Sequence, residues 1–378
     1  DAPWMPGRTP RELAAAISAG GRSRLWQEAL AHLDVALQGG PWPGIAAFNA
    51  VVSACEQSRQ WARALGLLAD LHRCGWQPSA VTFTAAIGAC KRGRRWEPAL
   101  GLLGAMRRRG VEPDVVAYGA VISACARGHG WEPALCALSE MRHCGLEPNV
   151  VVCNAAISAC DKAANWQLAL NLFTSLPQRR LQPDILSFNA LIGACERAAN
   201  WQLAPALFCM LPRLGLEPTI ISCRTAIGAC EKAASWRLAL ALFASLPELR
   251  LEPEALSCNA AIRACGNGAS LHQTISLFAS MPQRRLEPDV FSCNAVITAC
   301  QKAAKWPLAL ALFGSLPQLR LTPDIASFGA AVSACEKAAK WELAIALFAS
   351  LPRLGLVPDA TLCNAAISAC EKAAQWQL

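Results

Sequence analysis

A chain of 378 residues with a net charge of +8 and 54% hydrophobic residues is long enough for two or three globular domains. No uninterrupted apolar run approaches the ~18–20 residues needed to span a bilayer, so no membrane insertion is expected. Nineteen cysteines would suggest a disulfide framework in a small secreted domain, but ten of them occupy one repeating column among Ala and Ile. With no CxxC pair and five scattered histidines, zinc-ligand spacing is absent. The column cysteines read as small buried apolar thiols, and no metal or cofactor is expected.

The chain opens at Asp1 without a methionine and stops nineteen residues into a repeat, as a piece of a longer protein would. A targeting segment is expected to lie outside this fragment. Residues 1–9, rich in Pro and Gly, predict an irregular lead-in. Residues 10–44 read as a degenerate capping repeat, with Trp26 and Pro43 in register. Nine 35-residue repeats follow over 45–359, and a truncated tenth covers 360–378, in one continuous solenoid. Cysteine recurs at Cys55, Cys90, Cys125 and onward to Cys370. Tryptophan follows six residues later in every repeat but one, where Leu271 replaces it.

The unit at 150–184 shows why the repeat is a helix pair. Cys153, Ala156, Ile157 and Cys160 mark one face of a first helix, expected over about 152–163. Trp166, Ala169, Leu170 and Phe173 mark a second, which Pro177 should end near Leu176. Pro205, deeper in its helix than Pro98 or Pro133, should distort it locally. The repeat at 255–289 carries GNGASL from Gly266 to Leu271. Its two glycines predict the softest joint of the array.

Three polar columns lie off the apolar faces. The first, two residues after the cysteine, is basic at Arg92, Arg127, Lys162, Arg197, Lys232, Lys302, Lys337 and Lys372, and breaks at Gln57 and Asn267. Like charges repeated on one edge repel, so stability alone does not ask for them, although preceding acids such as Glu56 and Asp161 offer local balance. A row of cations suits a row of phosphates. The second column holds Asn49, Thr84, Gly119, Asn154, Asn189, Arg224, Asn259, Asn294, Gly329 and Asn364. Asparagine is a mediocre helix former, and its structural role there would be at a helix N-terminus. The third follows the closing proline: Ser79, Asp114, Asn149, Asp184, Thr219, Glu254, Asp289, Asp324 and Asp359. These residues suit helix caps as well as ligand contacts.

Variation confined to a polar pair is what a modular reader of a polymer needs. An Asn amide with a carboxylate matches the acceptor and N–H donor of a uracil edge, and Thr with Asp leaves room for guanine. Beside these columns runs an apolar series, Val81, Val116, Val151, Leu186, Ile221, Leu256 and Phe291. Such side chains sandwich bases or simply pack the helix start.

The pattern VxxFNAxIxACxKxxxWxxALxLFxxMxxxGLxPD, seen in FNAVVSAC at 48–55, AYGAVISAC at 117–125 and SEMRHCGLEPN at 139–149, resembles the pentatricopeptide repeat family in its pure 35-residue class. The resemblance covers residues 45–378. LP from Pro177 onward, and Arg180, Arg250, Arg285 and Arg320 where glycine is common, depart from it at the turns. It implies an all-α, right-handed superhelical solenoid of helix–turn–helix repeats that binds single-stranded RNA, one base per repeat, in mitochondrial or chloroplast RNA processing, splicing, stability or translation. Protein partners would supply any catalysis; the fragment itself is not expected to be an enzyme. The family's base-selecting pair falls on the second and third columns, its sandwiching residue on the apolar series and its phosphate contact on the basic column. By its preferences Asn49/Ser79 favours C and Thr84/Asp114 favours G. The pairs Asn154/Asp184, Asn259/Asp289 and Asn294/Asp324 favour U, and Asn189/Thr219 a pyrimidine. Gly119/Asn149 leans to A and Gly329/Asp359 to G, while Arg224/Glu254 matches no preference and Asn364 lacks its partner. The alternative is a protein-binding scaffold resembling tetratricopeptide arrays, whose W-x₂-L-G-x₂-Y pattern is missing.

Overall fold

The computed structural model describes residues 26–39, 44–73 and 75–372. The expected lead-in over 1–9, the start of the repeat at 10–44 and the end of the truncated repeat lie outside the described residues. Within them the chain is all α-helix, arranged as a solenoid of helix pairs. Two compact units are distinguished, residues 1–194 and 195–378, with the boundary inside the helix Ile185–Arg197.

Ten first helices, from Ile45–Gln57 to Ala360–Lys372, are each thirteen residues long. The uniformity follows from two end signals repeated along the chain, although Gly44 before Ile45–Gln57 has no side chain to cap with. At the start, the residue after the closing proline caps the helix: the Asp114 carboxylate accepts from the Ala117 N–H at 2.7 Å, and Asp324 from Ser327 at 2.8 Å. The helix at 150–162 therefore begins two residues before the expected start, directly after its cap Asn149. At the end, the column cysteine's carbonyl accepts from the N–H five residues on, as in Gln60 to Cys55 at 2.9 Å and Asn165 to Cys160 at 3.0 Å. The intervening residue turns left-handed, at Arg59 (φ 60) and Ala164 (φ 55).

Within each unit first helices pack on neighbouring first helices and on second helices; Ala255–Asn267 contacts the first helices on both sides, its own second helix and the preceding one. The cysteine column is sealed inside this arrangement. Burial pushes the Cys55 thiol up to about 11 and that of Cys125 to about 12, so both stay protonated and inert at neutral pH. Edge-on aromatic pairs join a second helix to the next first helix, Phe173 to Phe188 and Phe313 to Phe328, both with centroids 4.8 Å apart.

Second helices vary where the sequence puts proline. Trp61–Arg73, Trp96–Arg108 and Trp131–His143 run thirteen residues. Trp306–Ser315 and Trp341–Ser350 stop just before their Leu-Pro pairs, and short 3₁₀ turns follow the proline at Pro212–Leu214 and Pro282–Arg284. Pro177 departs from the expected stop: its helix runs Trp166–Gln178 with the proline in the last turn, where only one intrahelical donor is lost. Pro205 acts at the other end. Its missing N–H leaves Trp201 and Gln202 in a turn, and the helix starts at Leu203.

The repeat at 255–289 shows no shortened helix. Gly266 lies inside Ala255–Asn267, where an added Cβ would meet the Ala299 Cβ at 3.0 Å, and at Gly268 it would stand 2.2 Å from the Trp236 ring. These glycines sit at close approaches between repeats.

Arg180, Arg250, Arg285 and Arg320 occupy the turns between repeats at φ 58–60, where the corresponding Gly110, Gly145, Gly215 and Gly355 have φ of 68–76. A left-handed conformation costs a residue bearing a Cβ about 1 kcal/mol. Arg180→Gly should therefore raise stability by about 0.5–1 kcal/mol in denaturant unfolding. Arg179→Gly, at a right-handed position (φ −96), should give no gain.

Candidate nucleic-acid interface

The cap residues and the asparagines meet at the borders between repeats. Asn154 stands at the fifth position of its helix, too deep to cap it, and reaches across to the next repeat's cap. Its Nδ2 donates to Asp184 Oδ1 at 2.9 Å over a separation of 30 residues. Asn294 donates to Asp324 at 3.0 Å, and Asn259 to both carboxylate oxygens of Asp289 at 3.1 Å. The helix N-terminal role expected of these asparagines is thus corrected: the capping is done by the partner. One Asp184 oxygen both caps Ser187 at 2.8 Å and receives Asn154, since an ionised carboxylate offers about four acceptor sites.

Other positions differ. Asn49 bonds to Thr82 rather than directly to Ser79, and Thr84 turns its hydroxyl back to Ala80 O at 2.8 Å. Gly119 and Gly329 contribute no side chain; a Cβ at 119 would meet Val152 at 3.1 Å, and one at 329 would meet nothing within 4 Å. Asn149, Thr219 and Asp359 cap their helices. Asn189, Arg224 and Asn364 hold the same fifth position in Ile185–Arg197, Ile220–Lys232 and Ala360–Lys372, and Glu254 precedes Ala255–Asn267 as its cap residue.

The apolar series is out in solvent. Val81, Val116, Val151 and Leu186 in the first unit, and Ile221, Leu256 and Phe291 in the second, are all 54–70% exposed. Packing of the helix start is therefore not their role. An exposed apolar row is the feature most in need of a ligand.

Each cation of the basic column is the last residue of its first helix, where it complements the helix dipole. An acid of the preceding repeat reaches several of them: Glu56 lies 3.5 Å from Arg92, Glu196 3.5 Å from Lys232, and Glu336 2.8 Å from Lys372. The expectation that stability has no use for these cations is corrected accordingly. Glycine makes room for the acids, because a Cβ at Gly88, Gly193 or Gly228 would come within 2.6–2.9 Å of Glu56, Asp161 or Glu196. In the repeat lacking its cation, Asn267 receives Lys302 Nζ at 2.6 Å, and Arg263 binds Glu231 through two bonds of 2.9 and 3.0 Å. Arg127, Lys162, Arg197 and Lys337 stand at the equivalent helix ends. Arg263 and the acids lie outside the candidate residues; the signal for the acids is their recurrence at multiples of 35 residues, and for Arg263 its being the one cation in a column of Ser, Gly and Thr.

These rows converge in clefts. One of about 280 Å³ is lined by Phe291, Asn294, Asp324 and Lys302. Another of about 560 Å³ is lined by Val81, Val116 and Val151 together with Thr84, Asp114 and Asn149. Among the described residues no group of three or more His, Cys, Asp or Glu is placed to hold a metal, and no helix is long and apolar enough to cross a membrane.

Three family models match the chain: "Pentatricopeptide repeat domain" over 137–197 and 276–338, "PPR repeat family" over 81–127, and "PPR repeat" over 116–146 and 186–216. Together they span more than half of it. No curated protein matches the sequence. The crystal structure of the pentatricopeptide repeat protein PPR10 from maize superposes on 96% of this chain with a TM-score of 0.59 at 21% identity, which shows the shared fold. This chain spans 62% of that structure's length. PPR10 in complex with an 18-nt psaJ RNA element (22% identity, 96% of this chain and 57% of that one, TM-score 0.47) is more distant. So is the PPR domain of Arabidopsis thaliana protein-only RNase P 1 with tRNA (16%, 47% and 95%, TM-score 0.42).

The carboxylates at the borders are tuned by their contacts. Burial opposes ionisation of Asp184, but the Ser187 amide and hydroxyl and the Asn154 amide outweigh it and hold the carboxyl below its usual range. Asp324 is lowered in the same way by Ser327 and Asn294. A folded-state value below the unfolded one contributes stability above the unfolded value, lost as pH falls through the folded value. Unfolding free energy should thus hold through about pH 8 to 5 and fall below about pH 4. The double variant Asp184→Asn, Asp324→Asn should blunt that acid loss in a pH series of denaturant titrations.

Proposed function

This chain belongs to the pentatricopeptide repeat family, and from that premise we propose that it binds single-stranded RNA selectively, one base per repeat. The observation that carries the reading is the cleft where Phe291, Asn294, Asp324 and Lys302 stand together. It supplies an apolar face for a base, a polar pair for its edge and a cation for its phosphate.

The chemistry of each part is distinct. Exposed apolar side chains one repeat apart suit the two faces of an unstacked base, and covering them removes apolar area from water. Asn154 and Asn294 spend one amide N–H on the cap carboxylate and keep the other for a base carbonyl oxygen. The carboxylate keeps acceptor capacity for an imino N–H, the complement of uracil. At Thr84 and Asp114 the shorter side chain leaves space for guanine, whose N–H donors meet the carboxylate. The cations at the helix ends would exchange their acid partners for phosphate. PPR10 with its psaJ RNA element and protein-only RNase P 1 with tRNA are RNA complexes of the family, and RNA is the partner we assign here. The setting we propose is mitochondrial or chloroplast RNA metabolism, with any catalysis supplied by a partner; imaging of the tagged whole protein would check the compartment.

RNA selected from a random pool should carry C, G, then U at the places of Asn49/Ser79, Thr84/Asp114 and Asn154/Asp184. Asn154→Thr should shift the third of these from U towards G by about 1–3 kcal/mol in equilibrium binding. Enrichment of no RNA would favour a protein scaffold instead. If six to eight cations meet phosphate, log K against log salt should have a slope of roughly −4 to −6. A flat salt dependence would remove the phosphate role.

A further inference from the structure

Each asparagine of this row also has an oxygen to satisfy, and at Asn154, Asn294 and Asn49 a hydroxyl from the next repeat does it. Ser187 Oγ donates to Asn154 Oδ1 at 2.5 Å, Ser327 Oγ to Asn294 Oδ1 at 2.6 Å, and Thr82 Oγ1 to Asn49 Oδ1 at 2.6 Å. Each hydroxyl belongs to the third residue of the following first helix, 33 residues on, and each of these residues is fully buried. An amide oxygen only accepts, so the direction of each bond is fixed. At Asn154 and Asn294 the cap carboxylate takes the amide nitrogen on the other side. A flipped amide would set its oxygen against the carboxylate and lose that bond, while the hydroxyl, which also reaches the same carboxylate at 2.9 Å, would have to turn from donor to acceptor.

The hydroxyl tracks the asparagine along the chain. Asn49, Asn154, Asn189, Asn259 and Asn294 are each followed 33 residues later by serine or threonine. Where the row holds Thr84, Gly119 or Gly329, that place holds Ala117, Val152 or Leu362. Arg224, followed by Ser257, is the exception, and there the serine turns to the Glu254 carbonyl at 2.8 Å. The same hydroxyls also accept the cap residue's N–H, Ser187 from Asp184 and Ser327 from Asp324 at 3.2 Å each, but the cap itself forms without them. Asp114 and Asp359 cap their helices at 2.7 and 2.8 Å with Ala117 and Leu362 in the third place.

The repeat at 255–289 shows the same parts unlocked. Ser292 Oγ donates instead to the Asp289 carbonyl at 2.7 Å, and Asn259 Oδ1 is buried without a partner. A buried polar atom left unpaired is costly, and the hydroxyl stands where it would be needed.

We propose that Thr82, Ser187 and Ser327 are specificity-determining positioning residues. With the cap residue, their hydroxyls hold the asparagine amide so that its spare N–H is the group a base meets, which favours a carbonyl acceptor such as that of uracil over the edge of adenine, which has none. The cap residue then separates U from C. The proposal rests on the base-reading role of the asparagines given above.

The test uses the whole chain and RNA selected by it, with the base opposite Asn154 changed to each of the four. Ser187→Ala should lower the preference for U over A at that place about tenfold and leave preferences at other places intact; Ser187→Thr should restore it. Retained preference in Ser187→Ala, when Asn154→Ala abolishes it, overturns the lock and leaves the base reading standing. No effect of Asn154→Ala overturns the base reading, and the lock with it. If Ser187→Ala melts early, Ser327→Ala and Ser327→Thr supply the same comparison opposite Asn294.

Discussion

The hydrogen bond that closes the first turn of each first helix is the constraint on which the rest depends. Its acceptor comes from the residue just after the repeat's proline, as with Asp184 and Asp324. Because a carboxylate accepts more than one bond, the atom that starts one helix also holds the asparagine of the helix before it. On the proposed function, capping and base contact are therefore a single arrangement. A substitution that changes the reader also changes the helix start, which limits the residues tolerated there to good caps.

The basic column carries a similar double load. A cation at a helix end is favourable in itself, and its pairing with an acid one repeat back adds a surface ion pair of modest value. Glu336 shows how far this can go: burial opposes its ionisation, but Lys372 and Ser368 overcome it and lower its carboxyl below the usual range. RNA would therefore meet cations already placed and partly neutralised. Such a face gains in orientation what it gives up in raw attraction.

Much of this was legible in the sequence because the period is constant. The columns, the buried column cysteines and the tryptophans at most second-helix starts follow from register alone, and the family resemblance marks Arg180, Arg250, Arg285 and Arg320 as turn positions. What register conceals is the offset between neighbouring helices. Nothing in the period says that Asn154 reaches residue 184 and residue 187, or that Glu56 reaches Arg92; those separations come from how one helix slides against the next. Pro177 was misread for a related reason. A proline costs little in a last turn, so its presence alone does not decide whether the helix stops before or after it.

The turns have one more consequence. Thirteen non-glycine residues have positive φ among the described residues, and the left-handed conformation costs each about 1 kcal/mol. That strain is incurred inside each repeat, whereas the cap and most of the contacts that outweigh it lie at the border with the next repeat. A copied 35-residue unit therefore brings its own strain together with one more border of the same kind. Chain length can then change one unit at a time with no new kind of contact, and is free to be set by how long a ligand must be read.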